Sequence, residues 1–322
     1  MQIFFQIILM IVGLALLIKG SDIFVESSSN IAKKLKVPPI LIGLTIVAFG
    51  TAAPEIVISI SSSRNGLSSL AMGNLIGSNV FNLIFILGIC SLITPFAVEI
   101  KKFYKEFIFS IVAAISVLLL LTFGDEYITR LSSSFLLIIF AFYMFILIKQ
   151  NLKNKDEEDK DNINELEEDG IKLKPLWLSS ILILLGLSMI LYGADLVVDS
   201  AVFIAETFGI SERVIGLTIL AAGTSLPELS IAIFAFKKGR GDLAIGNIIG
   251  SNVFNILFIM GLTGVITPLT VDPALIIDSA VLLIGSLITM LFLYTGKKMI
   301  RLEGIALLAI YFVYMVHMAM NM

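Results

Sequence analysis

One cysteine, one histidine and one tryptophan are spread over 322 residues, and only 15% of the side chains are charged. A single thiol, Cys90, rules out a disulfide framework and a thiolate metal centre. The lone imidazole, His317, stands near the C-terminus, far in sequence from every polar motif described below. No nucleophile and base pair and no cofactor motif occurs, so the chain does not read as an enzyme and needs no cofactor. Nothing in it marks a nucleic-acid partner or an obligate protein partner. The opening MQIFFQIILM lacks the basic segment of a cleaved leader and reads as part of a first membrane span.

What the chain has in excess is hydrocarbon. Apolar residues make up 58% and the mean hydropathy is +1.02, where a soluble domain is about half apolar and a quarter charged. The chain therefore reads as an all-α integral membrane protein with the lipid bilayer as its surroundings. Apolar runs long enough to span fall at 3–27, 38–63, 69–94, 104–123 and 131–149, then at 175–200, 213–236, 242–267, 274–295 and 302–320. These are ten helices, five in 1–149 and five in 175–322, joined by a charged segment at 150–174. That segment is dense in acidic residues, but no spacing in it fits an EF-hand loop, and it reads as a solvated linker. Alternate loops carry eighteen lysines and arginines against three, Arg64, Arg130 and Arg213. The positive-inside rule then puts the linker in the cytoplasm and both termini outside, with the plasma membrane as the expected location.

The chain also writes one long segment twice. GLTIVAFGTAAPE with GNLIGSNVFN returns 173 residues later as GLTILAAGTSLPE with GNIIGSNVFN, and 26 of 46 positions from Gly43 to Gly88 are identical at that offset. Five spans per copy is an odd number, so the second copy enters the bilayer from the other side and the fold class is two inverted five-helix repeats. Each copy carries one glutamate, Glu55 or Glu228, inside an apolar run. An intramembrane carboxylate marks an ion or substrate path by default.

Both glutamates follow a proline, Pro54 or Pro227. Proline removes a donor and clashes with the carbonyl four residues earlier, at Gly50 or Gly223, so each helix is expected to break there. Unsatisfied backbone at membrane depth is tolerated only beside protein, water or an ion. Ser78 with Asn82, and Ser251 with Asn255, add polar faces at a spacing of four. All of these groups offer oxygen, which suits a hard cation such as Ca²⁺ or Na⁺, and two glutamates balance one Ca²⁺. Simpler readings stay open for several residues. Asn82 and Asn255 also serve as interhelical hydrogen-bonding glue, and Gly73, Gly77, Gly246 and Gly250 as close-packing positions. Asp22 and Asp195, with Glu26 and Asp199 one turn on, suit either an access route or an interfacial role beside Lys19.

The paired segments GTAAPE with GSNVFN and GTSLPE with GSNVFN resemble the alpha-repeats of the calcium/cation antiporter superfamily, above all the sodium/calcium exchangers. The resemblance covers both halves. It implies four repeat helices around a central ion site, with the first and sixth spans sliding across them to alternate access. It also implies Glu55, Glu228, Thr51 and Thr224 as Ca²⁺ ligands. Ser78, Ser225, Ser251 and the backbone at Ala48 and Ala221 match Na⁺ positions, and Asn82 and Asn255 match polar residues beside the central site. Two departures stand out. Ala52 replaces a serine common after the threonine, and Asn255 replaces an aspartate found in several members, including the potassium-dependent branch. The second lowers the negative charge of the site and argues against K⁺ dependence. The expected function is exchange of Na⁺ for Ca²⁺; the alternatives are H⁺/Ca²⁺ antiport through the same glutamates and a passive cation channel.

Overall fold

A computed structural model describes residues 2–35, 42–97, 100–124, 126–158, 174–208, 221–296 and 298–320. Most of the 150–174 segment and the first part of the apolar run at 213–236 lie outside the described residues, as do Arg213 and Gly216. The helices are α1 (Gln2–Leu35), α2 (Gly43–Thr51), α3 (Ala53–Arg64), α4 (Ser68–Ile93), α5 (Ile100–Phe123), α6 (Arg130–Glu158), α7 (Leu176–Thr207), α8 (Ala221–Thr224), α9 (Leu226–Lys237), α10 (Gly241–Ile266), α11 (Ala274–Gly296) and α12 (Arg301–Met320). Eight of them are long and apolar enough to cross a bilayer, and α2 with α3 makes a further span bent by 50°. At 34 residues α1 is about 51 Å long, well beyond a hydrocarbon core of about 30 Å.

Burial sorts the spans into a core and a shell. In α4 and α10, 72% and 83% of the most apolar window is buried, whereas the corresponding figures for α1 and α12 are both 17%. Phe4, Ile11 and Ile18 on α1, like Phe135, Ile138, Phe142 and Phe145 on α6, are exposed, as a lipid-facing surface requires.

The 173-residue repeat is visible in the element bounds: α3 maps onto α9, and the α-helical stretch Ser68–Val80 onto Gly241–Val253. Both tight turns between these helices use a glycine with positive φ, Gly66 at 80° and Gly239 at 67°, again 173 apart. Beyond Gly296 the offset falls to 171, since α6 starts at Arg130 and α12 at Arg301. The second copy is therefore two residues shorter in its last connection.

Paired strands and a glycine-lined helix crossing are among the contacts that tie the copies together. Four two-residue strands, β1 (Phe96–Ala97), β2 (Tyr127–Ile128), β3 (Leu269–Thr270) and β4 (Lys298–Met299), pair across the repeats, β1 with β4 and β2 with β3. The registers Phe96 with Met299 and Leu269 with Ile128 are images of one another under the repeat. Helices α1 and α7 pack along each other in opposite directions through glycines. A Cβ on Gly13 would lie 2.7 Å from the Gly193 carbonyl oxygen, and one on Gly20 would lie 2.8 Å from that of Gly186. These glycines, like Gly43 of α2, whose added Cβ would lie 2.6 Å from the Leu243 carbonyl oxygen, approach a neighbouring helix more closely than the Gly73 and Gly77 singled out in the sequence. At Gly73 an added Cβ meets only Leu275 Cδ2 at 3.6 Å, and at Gly77 nothing described lies within 4 Å. Gly250 does pack closely, against Leu44 and Ala48 of α2.

At one end of this bundle, α1 is held by charge. Lys238, just past α9, reaches Asp22 at 2.6 Å and Glu26 at 3.9 Å, and Lys174 reaches Glu26 at 2.9 Å. Ser21 donates to Ser230 of α9 at 2.8 Å, and Asn30 exchanges hydrogen bonds with the Lys174 backbone. The interfacial reading of Asp22 and Glu26 is the one the geometry favours.

The glycine crossing is open to a direct test. Gly20→Val forces a branched side chain into the Gly186 backbone and is expected to destabilise the protein by roughly 1–3 kcal/mol. Gly73→Ala, which meets only ordinary contact, is expected to be near neutral. Thermal melting followed by size-exclusion chromatography separates the two outcomes.

Candidate cation site

The site is built where two helices stop and restart inside the bundle. Ala52, with φ −77° and ψ 2°, separates α2 from α3, and Ser225, with φ −95° and ψ 5°, separates α8 from α9. The restarting helices have Pro54 or Pro227 in their first two positions and Glu55 or Glu228 in their first turn. Proline suits that position because its missing N–H would be unpartnered anyway, and the amide end of the helix favours a carboxylate. The stopping helices aim their carbonyl ends at the same gap, which favours a cation.

Both carboxylates are buried at 1% exposure. Glu228 is close enough to Glu55 to act on it electrostatically, so the two converge. Neither makes an ion pair among the described residues, and each leaves its Oε2 without a hydrogen-bond partner. Within the second copy the Ser251 hydroxyl donates to Glu228 Oε1 at 3.4 Å. Other contacts run between the repeats: Thr51 Oγ1 lies 3.5 Å from Asn247 Oδ1, Thr224 donates to Asn74 at 3.4 Å, and the Ser78 and Thr224 hydroxyls lie 3.4 Å apart. Ser225 is buried with its hydroxyl unpartnered. Ala52 has no hydroxyl to match it.

Pro54 has no N–H to offer the Gly50 carbonyl. The Ala48 carbonyl already accepts from the Ala52 N–H at 3.0 Å and from the Thr51 hydroxyl at 3.3 Å. Ala221 begins α8, and its side chain lies outside the described residues.

Asn82 and Asn255 sit at the start of widened π-helical turns, Phe81–Ile86 in α4 and Phe254–Met260 in α10. Such turns are frequent at functional sites because they re-aim side chains. Their hydrogen bonds fit the glue reading. Each NH₂ is bonded across to the other repeat, Asn82 to Asn252 Oδ1 at 3.2 Å and Asn255 to Asn79 Oδ1 at 3.0 Å, while each Oδ1 is buried and free. Asn74, Asn79, Asn247 and Asn252 were not among the candidates. Their signal was present in the sequence, as two further asparagines per copy at the 173 offset.

No group of three or more His, Cys, Asp or Glu forms among the described residues. The site is thus two carboxylates surrounded by neutral oxygens, a donor set suited to hard cations and poor for zinc or copper.

A profile of the sodium/calcium exchanger protein family matches residues 5–149 and 178–320. The chain belongs to that family. Sodium/calcium exchanger MaX1 of Methanosarcina acetivorans is 33% identical over 96% of this chain and 97% of its own length. Inner membrane protein YrbG of Escherichia coli is 36% identical over 87% and 86%. A structure of the sodium-calcium exchanger NCX_Mj soaked with zero Na⁺ and Ca²⁺ superposes with a TM-score of 0.82 at 32% identity, covering 98% of this chain and 99% of the other. The family consists of exchangers and not enzymes, and this exchanger is a multi-pass membrane antiporter of cations.

The unpaired carboxylates of the exchanger generate a prediction about stability. Without Na⁺ or Ca²⁺ at alkaline pH they repel in a dry interior, so Glu55→Gln is expected to melt above the unsubstituted protein, by roughly 2–4 °C per kcal/mol relieved. Addition of Ca²⁺ should raise the melting temperature of the native chain and leave that of the variant unmoved.

Proposed function

We propose that the chain is a secondary active antiporter that exchanges Na⁺ for Ca²⁺ across the plasma membrane by alternating access. The observation that carries this reading is the pair of buried, converging carboxylates, Glu55 and Glu228, each at a helix break and each with an unpartnered oxygen. Thr51, Thr224, Ser78, Ser251, Ser225, Asn82, Asn255 and the backbone at Ala48 and Ala221 complete the ligand set. One Ca²⁺ balances both charges, and Na⁺ ions compete for the same oxygens. An occupied site is electrically quiet and passes from one access state to the other, whereas an empty one holds two unneutralised buried charges; exchange follows and leak is suppressed. MaX1 and NCX_Mj carry sodium/calcium exchanger in their names, in line with this assignment.

The same reading takes the fold as ten spans in two inverted repeats, 1–149 and 175–322, joined by the cytoplasmic 150–174 segment with both termini outside. Strand pairing supports the count. Joining β1 to β4 on one face requires an even number of crossings between them, and α5, α6, α7, α10 and α11 supply five. The run at 213–236 supplies the sixth. The opposed directions of α1 and α7 support the inversion.

Access from one side at a time is supported by unequal burial of equivalent residues. Thr51, Pro227, Asn247 and Gly250 are buried, whereas their repeat partners Thr224, Pro54, Asn74 and Gly77 are half-buried. The lysine count assigns the half-buried set to the external side. On the cytoplasmic side the Asp22–Lys238 pair latches α1 to the core. The repeat-equivalent positions are Asp195 and Asn65, and Asn65 carries no charge.

Flux into sealed vesicles tests the assignment. Outward Na⁺ gradients should drive Ca²⁺ uptake by the native protein, and Glu55→Gln or Glu228→Gln should reduce it to background; native rates in either variant refute the site. Uptake driven by a pH gradient without Na⁺ would reassign the counter-ion to H⁺. Lys238→Asn, copying the external side, is expected to raise the accessibility of a cysteine introduced at Asn247 to a cytoplasmic thiol reagent in a Cys90→Ser background. Unchanged labelling would remove the latch from the mechanism.

A further inference from the structure

We propose that Asn79 and Asn252 are positioning residues that lock the Asn82 and Asn255 amides with their oxygens toward the cation. The proposal rests on the antiporter reading and deepens it.

Four hydrogen bonds form a reciprocal ladder between α4 and α10. Asn79 Nδ2 donates to the Asn252 backbone carbonyl at 2.9 Å, and Asn252 Nδ2 donates to that of Asn79 at 3.2 Å. A backbone carbonyl can only accept, so each of these side chains must present its NH₂ there. The orientation of each amide is then fixed, and its Oδ1 faces the other way. Those two oxygens are the acceptors for Asn255 Nδ2 at 3.0 Å and Asn82 Nδ2 at 3.2 Å. The second pair of amides is fixed in turn by the first. With both NH₂ groups drawn into the ladder, the Oδ1 atoms of Asn82 and Asn255 are left buried and unpartnered. The helix that carries Glu228 packs against the π-helical turn of Asn82, and the helix that carries Glu55 packs against that of Asn255. The turns that carry the two free amide oxygens thus pack against the helices that carry the two free carboxylate oxygens, each from the opposite repeat.

The ladder also selects the residue type. An aspartate carboxylate at 255 would set oxygen against the fixed Oδ1 of Asn79, so an ionised acid is disfavoured there while an amide fits. Asn79 and Asn252 therefore restrict the site to two negative charges, the number that balances one Ca²⁺.

A double-mutant cycle on Ca²⁺ affinity, measured by titration calorimetry on the purified full-length protein in Na⁺-free buffer, decides the matter. Loss of a partner that orients a metal ligand typically weakens affinity roughly 10–100-fold, and Asn79→Ala is expected to fall in that range while eluting as a single folded species. Asn255→Ala should lose as much or more, and the double variant no more than Asn255→Ala alone. Asn252→Ala with Asn82→Ala gives a second, independent cycle. Unchanged affinity in Asn79→Ala, or multiplicative losses in both cycles, overturns the proposal, because a general packing defect would add to the loss of the ligand. Should the alanine variants fail to fold, Asn79→Ser and Asn252→Ser replace them, and failure of these too would assign the ladder to folding alone. A native protein that binds no Ca²⁺ sinks the antiporter reading before any variant is compared.

Discussion

Two carboxylates lie buried within reach of each other's charge in this molecule, and no basic side chain among the described residues pairs with either of them. In most proteins such a pair is relieved by an arginine, a lysine or a held proton. Here the neighbours are hydroxyls and amides, which soften the repulsion without cancelling it. Under the proposed function, the neutralising charge is a cation that comes from outside the chain and leaves again. Around this constraint the rest of the fold makes sense: broken helices that offer carbonyl ends and amide ends to one gap, a close-packed core, and a shell of helices whose outer faces are apolar. A permanent internal cation would yield a more stable protein that carried nothing.

Much of this was legible from the sequence because duplication is a long-range signal written in local form. The apolar runs gave most spans to within a few residues, and the Pro-Glu pairs marked the breaks, which fall at Ala52 and Ser225. Less legible were the features that depend on contacts between distant residues. Asn79 and Asn252 lay inside the quoted motifs, yet their role arises only when α4 and α10 meet at the symmetry axis. Strands of two residues carry no periodic pattern to read. The glycines of α1 and α7 are seven residues apart on each helix, 13 with 20 and 186 with 193, a spacing outside the small-xxx-small pattern that drew attention to Gly73 and Gly77. The Asp22–Lys238 pair joins residues 216 positions apart, and nothing local announces it.

Symmetry and its violation have separate uses in this architecture. Where the copies agree, at the glutamates, the asparagine ladder and the glycine turns, equivalent residues of the two copies come together in the core. Where they differ, the molecule acquires a direction. A lysine follows one helix and an asparagine the other, and buried residues in one copy have half-buried partners in the second. A perfectly symmetric transporter would have two states of equal energy; unequal ends let the resting state be chosen.

The paired strands carry a consequence for how the protein is made. Phe96 waits for Met299, 203 residues later, and Tyr127 waits for Thr270. A nascent chain that has inserted its first five helices therefore has neither strand partnered, nor the acceptors on α10 for its asparagines, nor the second face of its ion site. Its polar groups must be shielded by lipid headgroups, water or insertion factors until the ribosome has delivered nearly the whole polypeptide. Assembly is then a late, concerted docking of two halves, and truncation near the C-terminus harms the earliest-made helices as much as the last.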